Sequence, residues 1–281
     1  TEYDKVSLQS QVYTPQWVVK FLVDNTVGKM YLEMFPDSPI CDIENEDGTK
    51  KYLIANRPTE RTRNVKPLEK WRIIDPACGS GNFLIYTMSL LYDLYLDQSE
   101  NFGCDYSRRD IPAMIVENNL YGVDLDERAV QLSQIALRIK AREIGGRRAR
   151  LPKHTNVVCS NFILPDYEQV RHMVEWSDWD KQKADTVEKV WNDLAQASKF
   201  GSLVRVEQPL RELVEAQSIA KEGLFAGENE TSLFNFRRNA IDSIREQFAR
   251  YVSVDSYTST KVEDALTFLD ILSQQFDVAV A

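Results

Sequence analysis

The sequence predicts an α/β protein built on a doubly wound parallel sheet, and three observations carry that expectation. Short apolar strands alternate with helices of amphipathic spacing as far as Cys159. The run from Trp71 to Leu84 passes from a buried strand through an acid and a tight glycine turn into a helix. A second strand closes on another acid, Asp124. In sheets of this class, ligands collect at the carboxyl ends of the strands. With 281 residues, 43% of them hydrophobic, the chain can bury a sizeable core.

The first element is an amphipathic helix that starts after Pro15, a residue suited to a first helical turn, and ends near Gly28 or runs on to Phe35. Ile40–Ile43 and Lys51–Ile54 flank Asp47-Gly48, a hairpin signal, and form an excursion before the core. The segment from Arg57 to Lys70 is basic and carries Pro58 and Pro67; it reads as a solvated loop or as a contact to a DNA backbone. Ile73-Ile74 form the first core strand, and apolar spacing from Asn82 to Leu96 marks the helix that follows. Asp97 to Asp110 is a polar loop, Ile111 to Asn118 a short helix and Leu120 to Leu125 the second strand. Asp126 caps a helix that Gly145-Gly146 stops, and Val157–Cys159 is the third strand. The alternation then lapses, and helical stripes predict an insertion over 164–262. Its Trp176, Trp179 and Trp191 suit packing better than base stacking. A return helix and a fourth strand from Phe276 complete the core, giving domains of 1–163, 164–262 and 263–281.

The glycine turn carries the chemistry. Gly79 and Gly81 permit positive φ and let a ligand approach bare backbone, and the helix from Asn82 turns its free N–H groups toward the same crevice. That arrangement suits a nucleotide-type cofactor. Asp75 orders the turn through backbone N–H groups, and Asp124 is placed to accept a ribose diol. A nicotinamide fold expects this acid about 20 residues after the glycines, whereas a longer stretch intervenes here, which disfavours a dehydrogenase.

Net charge is −9, the wrong sign for a chain that coats nucleic acid unaided, so DNA contact should be local. One local source is the basic cluster Arg138, Lys140, Arg142, Arg147, Arg148, Arg150 and Lys153, which otherwise reads as a solvated helix end. Cys41, Cys78, Cys104 and Cys159 lack paired metal-ligand spacing and fit a reducing, cytoplasmic setting. No leading signal peptide and no apolar run of roughly 20 residues is present, so no membrane partner is expected.

Asp75-Pro76-Ala77-Cys78-Gly79-Ser80-Gly81-Asn82-Phe83 resembles the first motif of S-adenosylmethionine-dependent adenine-N6 DNA methyltransferases. It is nearest to those of type I and IIG restriction-modification systems and bacteriophage-exclusion relatives. Tyr13-Thr14-Pro15 is similar to an upstream motif that packs on the methionine end of the cofactor. Asn119 to Asp126 resembles the second motif, whose acid, here Asp124, takes the ribose hydroxyls. Asn156 to Phe162 falls where the third motif lies, with Asn161 in place of the usual Asp. An amide accepts from the adenine amino group only through its oxygen.

The resemblance implies a Rossmann-like methyltransferase sheet with helices on both faces and a helical insertion, with S-adenosylmethionine as cofactor. It implies that Pro76, Ala77, Asn82 and Phe83 line the pocket with the glycines, that Asp75 meets the methionine ammonium, and that Leu125 and Phe162 sandwich the adenine ring. Double-stranded DNA is the implied substrate, and restriction or specificity subunits are implied partners. No metal is needed for direct attack of the adenine nitrogen on the sulfonium methyl. The family's Asn-Pro-Pro-Tyr/Phe motif follows its fourth strand, where this chain stops at Ala281; the chain also starts at Thr1 without an initiator Met. The expectation is therefore a fragment that holds the cofactor half of a site and is inactive alone. A methyltransferase acting on RNA or protein glutamine, or a non-catalytic cofactor-binding module, shares much of this pattern.

Overall fold

The computed structural model describes residues 14–161, 267–268, 270–271 and 274–281. The chain divides into two compact units, one of Thr1–Gly122, Arg128–Val157 and Phe276–Ala281, the other of Val123–Glu127 and Val158–Gln275. The insertion expected at 164–262 lies outside the described residues, as do Tyr13 and Phe162.

The first unit opens with α1 (Gln16–Val23), a π-helical turn (Asp24–Gly28) and α2 (Lys29–Met34), so the helix runs on past Gly28. Gly28 holds helical dihedrals, and a Cβ there would come 2.9 Å from Ile54 Cδ1. That glycine serves close packing, which is why it does not act as a stop signal. Val19, Val23 and Val27 face the core, and α1 packs against α3 (Asn82–Asn101).

Asp47-Gly48 makes its turn at the tip of a minimal hairpin, in which Asn45 N–H donates to Thr49 O and Lys51 N–H to Ile43 O, but longer flanking strands do not form. One antiparallel bridge, Glu44 to Lys50, is present; Pro39–Asp42 is a 3-10 turn whose Ile40 N–H bonds Ser38 Oγ. Beyond Lys51 the backbone bonds to side chains instead of a ladder. Leu53 N–H donates to Asp24, Ala55 N–H donates to Asn25, and Lys20 reaches the Lys51 carbonyl. Asp24 also accepts from Tyr86 OH at 2.8 Å. Burial pushes the Asp24 carboxyl above its ordinary range, against the pull of those donors.

The basic stretch that follows is an exposed loop, as the sequence predicts, and several of its cations also bond to the rest of the unit. Arg57 donates to the carbonyls of Pro36 and Ser38, Arg61 to Met34 O, Arg63 to Glu33 and Lys66 to both oxygens of Asp277. Those cations hold the chain to its own body.

The sheet runs β3 (Asn156–Cys159), β2 (Leu120–Asp124), β1 (Ile73–Asp75), β4 (Val278–Ala279). β1 is parallel to both neighbours, with Asp75 level with Gly122 and Ile73 level with Val278. α4 (Ile111–Met114) continues as a π turn (Ile115–Asn119) into β2, and α5 (Glu127–Gly145) follows β2. The parallel sheet and its helices are the α/β Rossmann-like architecture the sequence predicts.

Two buried polar knots fix this unit. Asn119, fully buried, donates to the carbonyls of Leu68 and Trp71 and accepts from Tyr95 OH, tying the entry to β1 to the start of β2. Asp97 accepts from Tyr31 OH at 2.5 Å, from Ser38 Oγ at 2.7 Å and from Asn101 at 2.7 Å. Gln98 donates to Tyr31 OH. These polar residues lie inside, so α3 extends to Asn101 through what reads in sequence as the start of a loop.

Candidate cofactor site at the glycine turn

Asp75 ends β1 at 1% exposure, and its Oδ1 accepts the Ala77 N–H at 3.1 Å. This local bond folds the chain back over Pro76 and Ala77, both exposed. Gly79 (φ 51°) and Gly81 (φ 89°) then take left-handed conformations, and Gly81 N–H closes the turn on Cys78 O at 2.8 Å. Gly81 is also the N-cap of α3, its carbonyl accepting from Ile85 N–H. It supplies no capping side chain, so the first N–H groups of this 20-residue helix have no side-chain cap.

The two glycines differ in what surrounds them. A Cβ at Gly79 would meet nothing within 4 Å, so bare backbone borders open space there. A Cβ at Gly81 would fall 2.5 Å from Ser133 Oγ of α5. At Gly122, level with Asp75, a Cβ would lie 2.9 Å from Leu84 Cδ1 and 3.2 Å from Cys78 Sγ. Gly122 and Ser133 are the residues the sequence reading left without a role. The legible signal for Gly122 was an isolated glycine inside a strand; nothing in sequence marks Ser133. Asn82 is half-buried, whereas Phe83, at 8% exposure, is an interior side chain. Thr14 is half-buried and Pro15 exposed, the Pro15 carbonyl accepting from Val18 and Val19 at the start of α1.

The second unit contains the other expected residues. Asp124 Oδ1 accepts the Asp126 N–H at 2.8 Å, and its carbonyl accepts Ser160 N–H at 2.8 Å. Cys159 Sγ lies 3.5 Å from the Leu125 carbonyl. These contacts bring Asp124 and Leu125 beside the end of β3 and Asn161. Leu125 is 69% exposed, so core packing does not account for it, and Asn161 is exposed. Asp126 directly precedes α5, the place of a helix cap.

Most of the basic cluster is engaged locally. Arg138 donates to Pro152 O, Arg142 to Arg147 O, Lys140 pairs with Glu143, and Arg150 pairs with Glu117 and Asp110. Glu117 also accepts Lys153 N–H. Burial works to raise the Glu117 carboxyl, but Arg150 and that N–H outweigh it and hold it below its ordinary value. Arg147 and Arg148 are exposed. Among the described residues no group of three or more His, Cys, Asp or Glu could hold a metal, and no helix is long and apolar enough to cross a membrane.

A strand, a glycine turn and a helix N-terminus without a side-chain cap make an arrangement that many nucleotide-binding α/β proteins share. Comparison with known proteins is narrower. Residues 54–186 match the family model of the MmeI DNA-methyltransferase domain. The adenine-specific methyltransferase BrxX of Escherichia coli is 37% identical over 160 residues, 53% of this chain and 12% of that protein. The adenine-specific methyltransferase PglX of Lacticaseibacillus casei is 35% identical over 156 residues, again 53% and 12%. A Methanocaldococcus jannaschii protein whose name includes type II restriction enzyme and methyltransferase is 31% identical over 142 residues, 44% of this chain and 11% of its own. The chain thus resembles adenine-specific DNA methyltransferases, of which it spans about an eighth of the length.

Proposed function

We propose that this chain is the cofactor-binding part of a DNA methyltransferase that moves a methyl group from S-adenosylmethionine to the N6 amino group of adenine. The observation that carries the reading is the turn itself. Bare backbone at Gly79 borders open space beside the uncapped N-terminus of α3, inside the segment that matches a DNA-methyltransferase model.

The residues present fit the cofactor. The N–H groups at the start of α3 suit the carboxylate of its methionine end, where the helix dipole adds to the hydrogen bonds. Thr14 and Pro15, with Tyr13, pack on that end, and Asp75 keeps the turn in shape while its acid faces the ammonium group. Pro76, Ala77 and Asn82 form the rest of this wall, with Phe83 supporting it from within. Asp124 accepts from the ribose hydroxyls, exposed Leu125 offers an apolar surface to the adenine ring together with Phe162, and Asn161 accepts from the adenine amino group through its amide oxygen. Once bound, the sulfonium supplies an activated methyl group, so the chain's task is orientation and exclusion of water.

Double-stranded DNA is the proposed substrate. Exposed Arg147 and Arg148 are the phosphate contacts this chain contributes, and it acts in the cytoplasm beside restriction or specificity subunits; a relative's name that includes a restriction enzyme supports the restriction part. The test is to incubate unmodified plasmid DNA with the full-length protein and S-adenosylmethionine, then digest it for nucleoside mass spectrometry. N6-methyladenine is expected. Methylated cytosine alone, or methyl transfer only to RNA or protein, would reject the assignment.

A further inference from the structure

We infer that Ser133 is a positioning residue for the glycine turn, one whose buried hydroxyl favours the ligand-bound form of that turn over the free form. The inference rests on the reading of the turn as an S-adenosylmethionine site.

Three observations meet at this side chain. Ser133 on α5 is fully buried and lies directly against Gly81, with its Oγ, Cβ and Cα at 2.5, 3.2 and 3.4 Å from where a Gly81 Cβ would stand. No side chain larger than hydrogen fits at Gly81 while Ser133 is there. Second, the Ser133 hydroxyl finds no hydrogen-bond partner among the described residues. Third, the neighbouring backbone groups are already committed, Gly81 N–H to Cys78 O and Gly81 O to Ile85 N–H. A buried hydroxyl without a partner is unfavourable. Alanine would keep the Cβ contact at 3.2 Å and relieve the tightest one, so packing alone gives no reason for the oxygen.

The hydroxyl lies against Gly81, where the turn becomes α3, and is fully buried, out of reach of a ligand. It acts on binding through the turn. When an anionic group seats on the N–H groups of the turn and α3, a small shift of the Cys78–Gly81 carbonyls gives the hydroxyl an acceptor. The unfavourable burial then belongs to the free protein and is relieved in the bound one. That difference strengthens binding without a contact to the ligand.

The prediction is a change of opposite sign in two measurements on S133A. Thermal midpoint should be unchanged or raised by a few degrees, because an unpartnered buried hydroxyl is gone. The Kd for S-adenosylmethionine, read by isothermal titration calorimetry, should rise about fivefold, the size of one ordinary hydrogen bond. A second variant, S133T, keeps the hydroxyl but adds a methyl to the tight contact with Gly81, and should lose both stability and affinity. Unchanged affinity in S133A, with the wild type binding, would overturn the inference and leave the cofactor site standing. Loss of stability or of folding in S133A would overturn it too, because the hydroxyl would then have had a partner in the free state. No binding by folded wild-type protein would reject the cofactor reading itself, and this inference with it.

Discussion

Gly81 lies so close against Ser133 that a Cβ on the glycine would stand 2.5 Å from the serine Oγ, at a φ of 89° that disfavours any side chain. Strand β1 and helix α5 thereby meet at the turn through bare backbone. Replacing Gly81 by alanine combines a clash with a strained dihedral, at a cost of about 1 to 3 kcal/mol. G81A should lower the urea midpoint and abolish measurable cofactor binding. G79A is the informative contrast, because φ is 51° and nothing lies within 4 Å. It should fold with a loss of about 1 kcal/mol and still bind cofactor more weakly, since its methyl group enters the open space. Equal cofactor affinity for G79A and wild type would show that no ligand approaches there.

Asp124→Ala should weaken S-adenosylmethionine binding by about 1.5 to 3 kcal/mol, the range for hydrogen bonds to a charged acceptor. Its Oδ1 also orders the following turn by accepting Asp126 N–H. D124N, which keeps an oxygen for that bond, separates the two roles. If it binds cofactor as tightly as wild type, the acid's charge has no part in holding the ribose.

Asn119 makes three buried hydrogen bonds, to Leu68 O, Trp71 O and from Tyr95 OH. N119A removes all three bonds, with Leu68 O keeping only Trp71 N–H, and should destabilise the protein by about 2 to 4 kcal/mol, read as a fall in urea midpoint at unchanged slope. N119D is expected to be as harmful, because a carboxylate repels the two carbonyls. A near-neutral N119A would show that this knot does not hold β1 to β2.

Glu117 has its carboxyl held below the ordinary 4.5 by Arg150 and Lys153 N–H, in spite of partial burial. A folded pKa below the unfolded one contributes stability that is present above about pH 4.5 and lost as pH falls through the folded value. E117Q should therefore be less stable than wild type near neutrality, and the gap should close on acidification. A gap that stays constant with pH would show that the charge pair is not the source.

Arg147 and Arg148 are exposed members of a basic cluster in which Arg138 and Arg142, also exposed, donate to Pro152 O and Arg147 O, and Arg150 pairs with Glu117. Reversing both charges in the full-length protein should weaken DNA binding equally for all sequences and flatten the salt dependence by roughly two contacts' worth. An unchanged salt slope would remove them from the interface.

Legibility in sequence followed the range of the interactions concerned. The glycine turn, the strand and helix it joins and the acid at the end of β2 were all readable, because glycine freedom and apolar runs act over a few residues. What stayed hidden was set by partners far along the chain. The strand expected from Lys51 to Ile54 stops after Lys51 because Asp24 and Asn25 bind the backbone of Leu53 and Ala55. The bases from Arg57 to Lys66 were readable as an exposed loop, but not their bonds to Met34 O, Glu33 and Asp277, which come from other segments. Asp97 and Gln98 read as loop residues although they are buried against Tyr31. Ser133 carried no local signal, since its significance lies wholly in facing Gly81.

The most direct test is equilibrium binding of S-adenosylmethionine to this 281-residue chain, by calorimetry, with circular dichroism to confirm folding. The account predicts saturable binding of one cofactor per chain, lost in G81A and weakened in D124A. A folded chain that takes up no cofactor at millimolar concentration, or binds it equally well in both variants, would contradict the claim that the turn after β1 is the site.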